Sequence, residues 1–187
     1  MDLNEAIHSR RSVRAYKDEP LTRETVDKLI RAAVQAPSAS NRQPWAFVVI
    51  QGNERLQGLS ERAKQHRLTD TQDPPSDSLR ARLMDPGYNL FHDAGTLIVI
   101  CATPVYRYAA EDCSLAAQNL MLTAHALGLG TCAIGLSRSF FNRADVKAEF
   151  NIPAEYTPVF PVVVGHPATV PAPTSRNEPE ILAWVEG

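Results

Sequence analysis

Cysteine is scarce in this 187-residue chain, and Cys101, Cys113 and Cys132 form an odd set with no CxxC pair. That excludes a disulfide framework and a cysteine zinc site, and leaves each thiol as a small buried hydrophobe. An excess of one charge is also missing. With 19 Lys and Arg against 21 Asp and Glu, the net charge is −2, so no general field exists for nucleic acid or an anionic membrane, and any anion must meet a local cluster. No apolar run approaches the roughly 18 residues of a membrane span. Met1-Asp2-Leu3-Asn4-Glu5 lacks the basic and apolar blocks of a signal peptide, so a cytoplasmic location is expected. His8, His66, His92, His125 and His166 are scattered, with no HxxxH or paired carboxylate spacing, and no metal site is expected. Ser114 has no GxSxG setting, which argues against a hydrolase triad. Neither an internal repeat nor a low-complexity block is present.

Apolar residues make up 44% of the chain. A chain of this length can bury roughly 70% of its unfolded surface, enough for a full core, and a single domain over residues 1–187 is predicted. Asp2 or Asn4 can cap a short first helix. Thr22 can cap a second, whose Val26, Leu29, Ile30, Ala33 and Val34 form an amphipathic stripe ending before Pro37. A strand follows from Trp45 to Ile50, then a helix from Glu54 to about His66. The polar stretch Leu68 to Gly87, with Pro74-Pro75 and Pro86-Gly87, reads as a long connection with one short helix near Ser78 to Met84. Thr96 to Ala102 suits a central buried strand. The longest helix is expected from about Tyr108 to Leu127, apolar on most sides and so buried, with Asp112 as a helix-start residue. Gly128 to Gly135 is a small-residue strand or loop where a ligand could approach the backbone closely. A helix from about Asn142 to Phe150 precedes a last strand, Val159 to Gly165, in which Pro161 predicts an irregularity. Beyond Gly165 the tail carries Pro167, Pro171, Pro173 and Pro179; it should lie extended along a surface, such as that of another subunit.

Two segments concentrate polar chemistry. Arg10, Arg11 and Arg14, with the Ser12 hydroxyl, supply paired donors of the kind that bind phosphate; the same run also reads as a solvated basic face. Ser38, Ser40, Asn41 and Gln43 sit in one loop before Trp45, which suits the polar edge of a planar heterocycle or an ordinary Ser/Asn turn.

Together these residues carry a family resemblance. Arg10-Arg11-Ser12-Val13-Arg14-Ala15-Tyr16 and Ala36-Pro37-Ser38-Ala39-Ser40-Asn41-Arg42-Gln43-Pro44-Trp45 resemble the N-terminal signature of the FMN-dependent nitroreductases. The likeness continues through Asn89-Leu90-Phe91-His92-Asp93-Ala94, the helix around Asp112 to Ala126, Gly128-Leu129-Gly130-Thr131-Cys132-Ala133-Ile134-Gly135, and Gly165-His166-Pro167 followed by Arg176. Lys64 to Asp85 matches least; it is the region that usually shapes the substrate opening.

The resemblance implies an α+β, three-layer fold with a central, mostly antiparallel sheet flanked by helices. It also implies a homodimer with exchanged C-terminal extensions, residues 166–187 here, and two FMN sites at the interface. By matching position, Arg10, Arg11, Ser12 and Arg14 would hold the phosphate, ribityl chain and pyrimidine edge of FMN, and Arg176 would reach the phosphate. Pro37, Ser38, Ala39, Ser40 and Asn41 would come from the other subunit, while Ala133, Ile134 and Gly135 would pass their backbone near flavin N5. A backbone N–H there stabilises charge without titrating.

The implied activity is ping-pong oxidoreduction, with NADH or NADPH as donor and a small aromatic, quinone or nitro compound as acceptor. No protein side chain is required as a catalytic acid or base. The absence of a Rossmann glycine fingerprint fits a nicotinamide that binds transiently over the flavin. Specialised branches of the same resemblance are the alternatives: a reductive dehalogenase, a flavin-fragmenting benzimidazole synthase, or an enoyl or aldehyde reductase. A flavin-binding protein without turnover is another. Trp45 and Tyr16 are expected to fill the core. One of Phe140 and Phe141 could cover the site, and Trp184 could anchor the tail on a partner.

Overall fold

The computed structural model describes residues 1–104 and 106–187. The chain runs α1 (Leu3–Ser9), α2 (Arg23–Ala33), β1 (Trp45–Gln51), α3 (Asn53–Leu68), α4 (Asp77–Met84), β2 (Thr96–Ala102), α5 (Ala109–Ala126), β3 (Gly130–Ala133), α6 (Arg138–Phe141), α7 (Ala144–Glu149) and β4 (Thr157–Gly165). Asp2 caps α1 by accepting from the Glu5 N–H at 2.8 Å, and Thr22 caps α2 by accepting from the Thr25 N–H at 3.2 Å. Both satisfy donors that a helix start leaves open.

The four strands are all antiparallel, in the order β1-β2-β4-β3. Every residue of β2 is buried, and its two faces divide by the period of two that a strand imposes. Ile98, Ile100 and Ala102 pack in the layer of α2 and α5, whereas Leu97, Val99 and Cys101 pack in the opposite layer with Leu56, Leu59 and Phe141. All three cysteines are buried and free. This is the predicted α+β arrangement of helix, sheet and helix.

Three details depart from the sequence reading. Pro161 stays in register opposite Val99, and the irregularity falls at Val159, where the β2 partners jump from Phe160 to Pro158. Prolines on both sides explain a bulge there, because neither can donate to the ladder. The helix expected from Asn142 begins at Ala144 as α7, with a further short helix, α6, just before it, and the Asn142 side-chain amide donates to the carbonyls of Arg138 and Pro158, each at 2.8 Å. Finally, α5 is buried along Cys113, Ala116, Ala117, Leu120 and Ala124, but Leu115 is 46% exposed. Its apolar residues outnumber the neighbours one chain offers.

The long connection after α3 is organised by two cations that sequence reasoning missed. Lys64 is buried on α3 and donates to Glu61 Oε1 at 3.0 Å and to the carbonyls of Asp85 and Tyr88 at 3.1 and 2.9 Å. Buried Arg67 donates to Asp73 Oδ2 at 2.9 Å. Buried cations persist only when so partnered, and here they strap the 70–88 stretch onto α3. Past Pro167 the tail has no regular structure, and Leu182, Trp184 and Val185 are exposed.

Candidate functional site

The basic segment lies across the sheet edge next to β3. Val13 donates its N–H to the Thr131 carbonyl at 2.9 Å, Lys17 donates to His166 at 2.9 Å, and the Tyr16 hydroxyl donates to the Val13 carbonyl at 2.8 Å. This close contact depends on two paired glycines. A β-carbon on Gly130 would lie 2.6 Å from Val13 Cγ2, and one on Gly165 would lie 3.0 Å from Tyr16 Cδ1. At Gly130 the missing side chain therefore makes room for Val13 of the basic segment. Tyr16 and Trp45 pack against the two apolar layers, as expected.

Held this way, Arg10 and Arg14 stand beside Cys132, and Arg11 and Arg176 stand near Arg10. Burial and the neighbouring Arg176 and Arg11 charges push the Arg10 guanidinium below its ordinary value. Burial raises the Cys132 thiol, opposed by Arg14 and Arg10 and by hydrogen bonding to Arg14 and Ser12. Arg11 turns back to the carbonyls of His8 and Arg10 at 2.7 and 2.8 Å, while its buried Nε has no partner. Among the described residues, none of Arg10, Arg11, Arg14 and Arg176 is paired with a carboxylate. Guanidiniums that repel one another without counter-charges form a site fitted to a phosphate dianion.

Beside this cluster is a cavity of about 190 Å³, with Cys132, Ala133, Ile134, Gly135 and Leu136 along one wall. Ile134 gives its N–H to the Pro161 carbonyl at 2.8 Å. The N–H of exposed Gly135, without a partner among the described residues, is the donor this turn leaves for a ligand.

The loop from Pro37 to Asn41 is elsewhere. Buried Asp112, at the start of α5, accepts from the Ala39 N–H at 3.3 Å and from the Tyr106 hydroxyl. Asp112 thus anchors the loop, and its helix-start position is what puts it there. Ser40, Asn41 and Gln43 have φ of 53°, 53° and 50°, a conformation Asn tolerates but Ser and Gln adopt at a cost. The basic segment instead sits at the other end of α5, where Ser9 and His125 Nε2 are 2.7 Å apart. Asp112 and His125 are thirteen helical steps apart on α5, about 20 Å at 1.5 Å per step. Within one chain the two polar segments therefore stand at opposite ends of α5.

The sequence profile of the Nitroreductase family matches residues 7–166, a span containing both polar segments but not Arg176. The chain belongs to the nitroreductase family. It is 32% identical over 188 residues to an FMN reductase [NAD(P)H] of Bacillus subtilis, covering 96% of this chain and 73% of that protein. It is 31% identical over 193 residues to Protein DrgA of a Synechocystis strain, covering 95% of this chain and 89% of that one. Among solved structures, a nitroreductase with bound FMN from Desulfitobacterium hafniense superposes with a TM-score of 0.83 at 27% identity, covering 98% and 97% of the two chains.

In this nitroreductase the far wall of the cavity comes from residues not identified from sequence: Arg82, Tyr88, Leu90 and His92. Arg82 falls in the Lys64–Asp85 stretch that matched the family least, whereas Leu90 and His92 fall in the Asn89–Ala94 stretch that carries the likeness. Phe140 and Phe141 are both buried, in contact with each other at 5.4 Å between ring centroids, and neither lines this cavity. Trp184 is 77% exposed in the single chain.

Proposed function

We propose that this nitroreductase is an FMN-dependent NAD(P)H oxidoreductase that works as a homodimer and reduces small aromatic, quinone or nitro acceptors by a ping-pong mechanism. The observation that carries this reading is the unpaired guanidinium cluster of Arg10, Arg11, Arg14 and Arg176 beside the Ala133–Gly135 turn. Arg10, Arg11, Ser12 and Arg14 would hold the phosphate, ribityl chain and pyrimidine edge of FMN, and Arg176 would reach the phosphate. Bound FMN supplies two-electron transfer through its N5. Ala133, Ile134 and Gly135 would pass their backbone near flavin N5, where the Gly135 N–H could stabilise charge without titrating. Pro37, Ser38, Ala39, Ser40 and Asn41 of a second copy close the other side and exclude water. The separation of about 20 Å along α5 supports that assignment, as does the C-terminal tail, which forms no core of its own and exposes Leu182, Trp184 and Val185.

The test is the visible spectrum of the purified protein under nitrogen, before and after NADH or NADPH. A flavin spectrum that bleaches on addition is expected, and Arg10→Ala with Arg14→Ala should release FMN while circular dichroism stays unchanged. A protein that cannot take up FMN, or full occupancy in the double variant, would overturn the reading. A bound flavin that neither nicotinamide reduces would instead indicate a flavin-binding protein without turnover.

A further inference from the structure

Ser9 and His125 join the last turns of α1 and α5 just before the guanidinium cluster begins. The Ser9 hydroxyl has one proton, and it goes to the Glu5 carbonyl at 2.6 Å. At 2.7 Å from the same oxygen, His125 Nε2 must therefore be the donor, which puts the proton of the neutral ring on Nε2 and leaves Nδ1 bare. Arg10 follows as the C-cap of α1, its N–H donating to the Ala6 carbonyl at 3.1 Å. Arg11 comes next and returns its guanidinium to the carbonyls of His8 and Arg10. The relay from His125 through Ser9 to Glu5 thus ties the end of α1, and the two arginines that follow it, to the longest helix of the chain.

His125, Ser9 and Arg11 line a cavity of about 180 Å³ whose other walls, Val13, Leu129 and Pro167 among them, are apolar, and no Asp or Glu lines it. The charges that act on the ring are Arg10 and Arg11 of the basic segment and Glu5 of α1. The tail brings none through Pro167, Val170 and Pro171, and Met1 adds the amino end of the chain to the same cavity. Burial first, and then the two guanidiniums, hold the imidazole below its ordinary value. A phosphate dianion on those guanidiniums cancels their repulsion, so a second proton, on Nδ1, is taken up from solvent more readily with the cofactor bound. The protonated ring keeps its Nε2–H on Ser9, and its charge has the sign that a phosphate and a helix C-terminus both favour.

We propose that His125 is a positioning residue for the cofactor, holding the Arg10–Arg11 end of α1 through Ser9 and coupling retention of the FMN phosphate to proton uptake on its own ring. This rests on the FMN reading above and extends it to a group outside the residues assigned to the cofactor.

The experiment follows FMN binding by flavin fluorescence between pH 6.5 and pH 8 for wild type, His125→Gln and Ser9→Ala. The FMN phosphate itself titrates near pH 6, but equally for all three proteins, so the ratio of wild-type to variant affinity isolates the ring. Wild type should gain about fivefold over His125→Gln on going from pH 8 to pH 6.5. Ser9→Ala, which cuts the tie and keeps the ring, should bind FMN less tightly at every pH while retaining that gain. In wild type alone, the NMR titration of the His125 ring should move to higher pH on saturation with FMN, a measurement that needs no variant to fold. A wild-type to His125→Gln ratio that stays constant across the range would reduce His125 to packing and overturn the proposal. So would a His125 titration that FMN leaves unmoved, or Ser9→Ala with wild-type affinity. Wild type that takes up no FMN at any pH would overturn the cofactor reading as well, whereas FMN binding with a constant ratio fails this inference alone.

Discussion

Val13 lies so close over Gly130 that a single added methyl group would sit 2.6 to 2.8 Å from three of its side-chain carbons. Those atoms are the branch of a β-branched residue, which has little freedom to turn away. The contact joins the basic segment to β3, and it sets where Arg10, Ser12 and Arg14 stand relative to the cavity.

Gly130→Ala should therefore destabilise the protein by about 1–3 kcal/mol, the usual cost of overpacking, and weaken FMN binding by displacing the arginines. Denaturant unfolding and FMN titration check both. Gly58→Ala is the control: a β-carbon there meets nothing within 4 Å inside α3, so it should stabilise by roughly 0.4–1 kcal/mol and leave FMN affinity unchanged.

Truncation after Thr169 tests the role of the tail. It keeps the contacts of residues 166–168 with the basic segment, including the Ala168 N–H to the Ala15 carbonyl at 2.9 Å, and removes the exposed Ile181, Leu182 and Trp184. The truncated chain should run as a monomer in light scattering and lose FMN. Arg176→Ala in the full chain should stay dimeric while binding FMN less tightly. A truncated chain that remained a stable dimer would argue against exchanged extensions.

Stability should fall as the pH drops from 7.5 to 5.5. His66, His92 and His125 are all held below the ordinary histidine value, in each case first by burial and then by nearby arginines. A depressed folded-state value means the unfolded chain binds more protons, so stability rises with pH through the unfolded value near 6.5 and is lost below it. The melting temperature of the FMN-free protein should be lower at pH 5.5 than at 7.5. His66→Gln, which removes a ring whose buried Nε2 has no partner, should reduce that difference; an equal difference in the variant would exclude His66 from it.

What the sequence determined by itself was local. The Thr22 cap and the Val26-Leu29-Ala33 stripe specify α2 through periodicity, and the unbroken apolar run Leu97 to Ala102 specifies a central strand, because each residue needs burial whichever face it takes. The Arg10–Arg14 and Pro37–Asn41 motifs were legible because phosphate and heterocycle recognition demand particular side chains at short spacing. Tertiary structure decided the relations between distant segments. It placed the two motifs at opposite ends of α5, made Asp112 an anchor for Ala39, and buried Lys64 beneath Asp85 and Tyr88. It also set Arg82 opposite Ile134. No local pattern encodes these contacts, since a charged residue on a helix reads as solvent-facing until the chain folded against it supplies its partners.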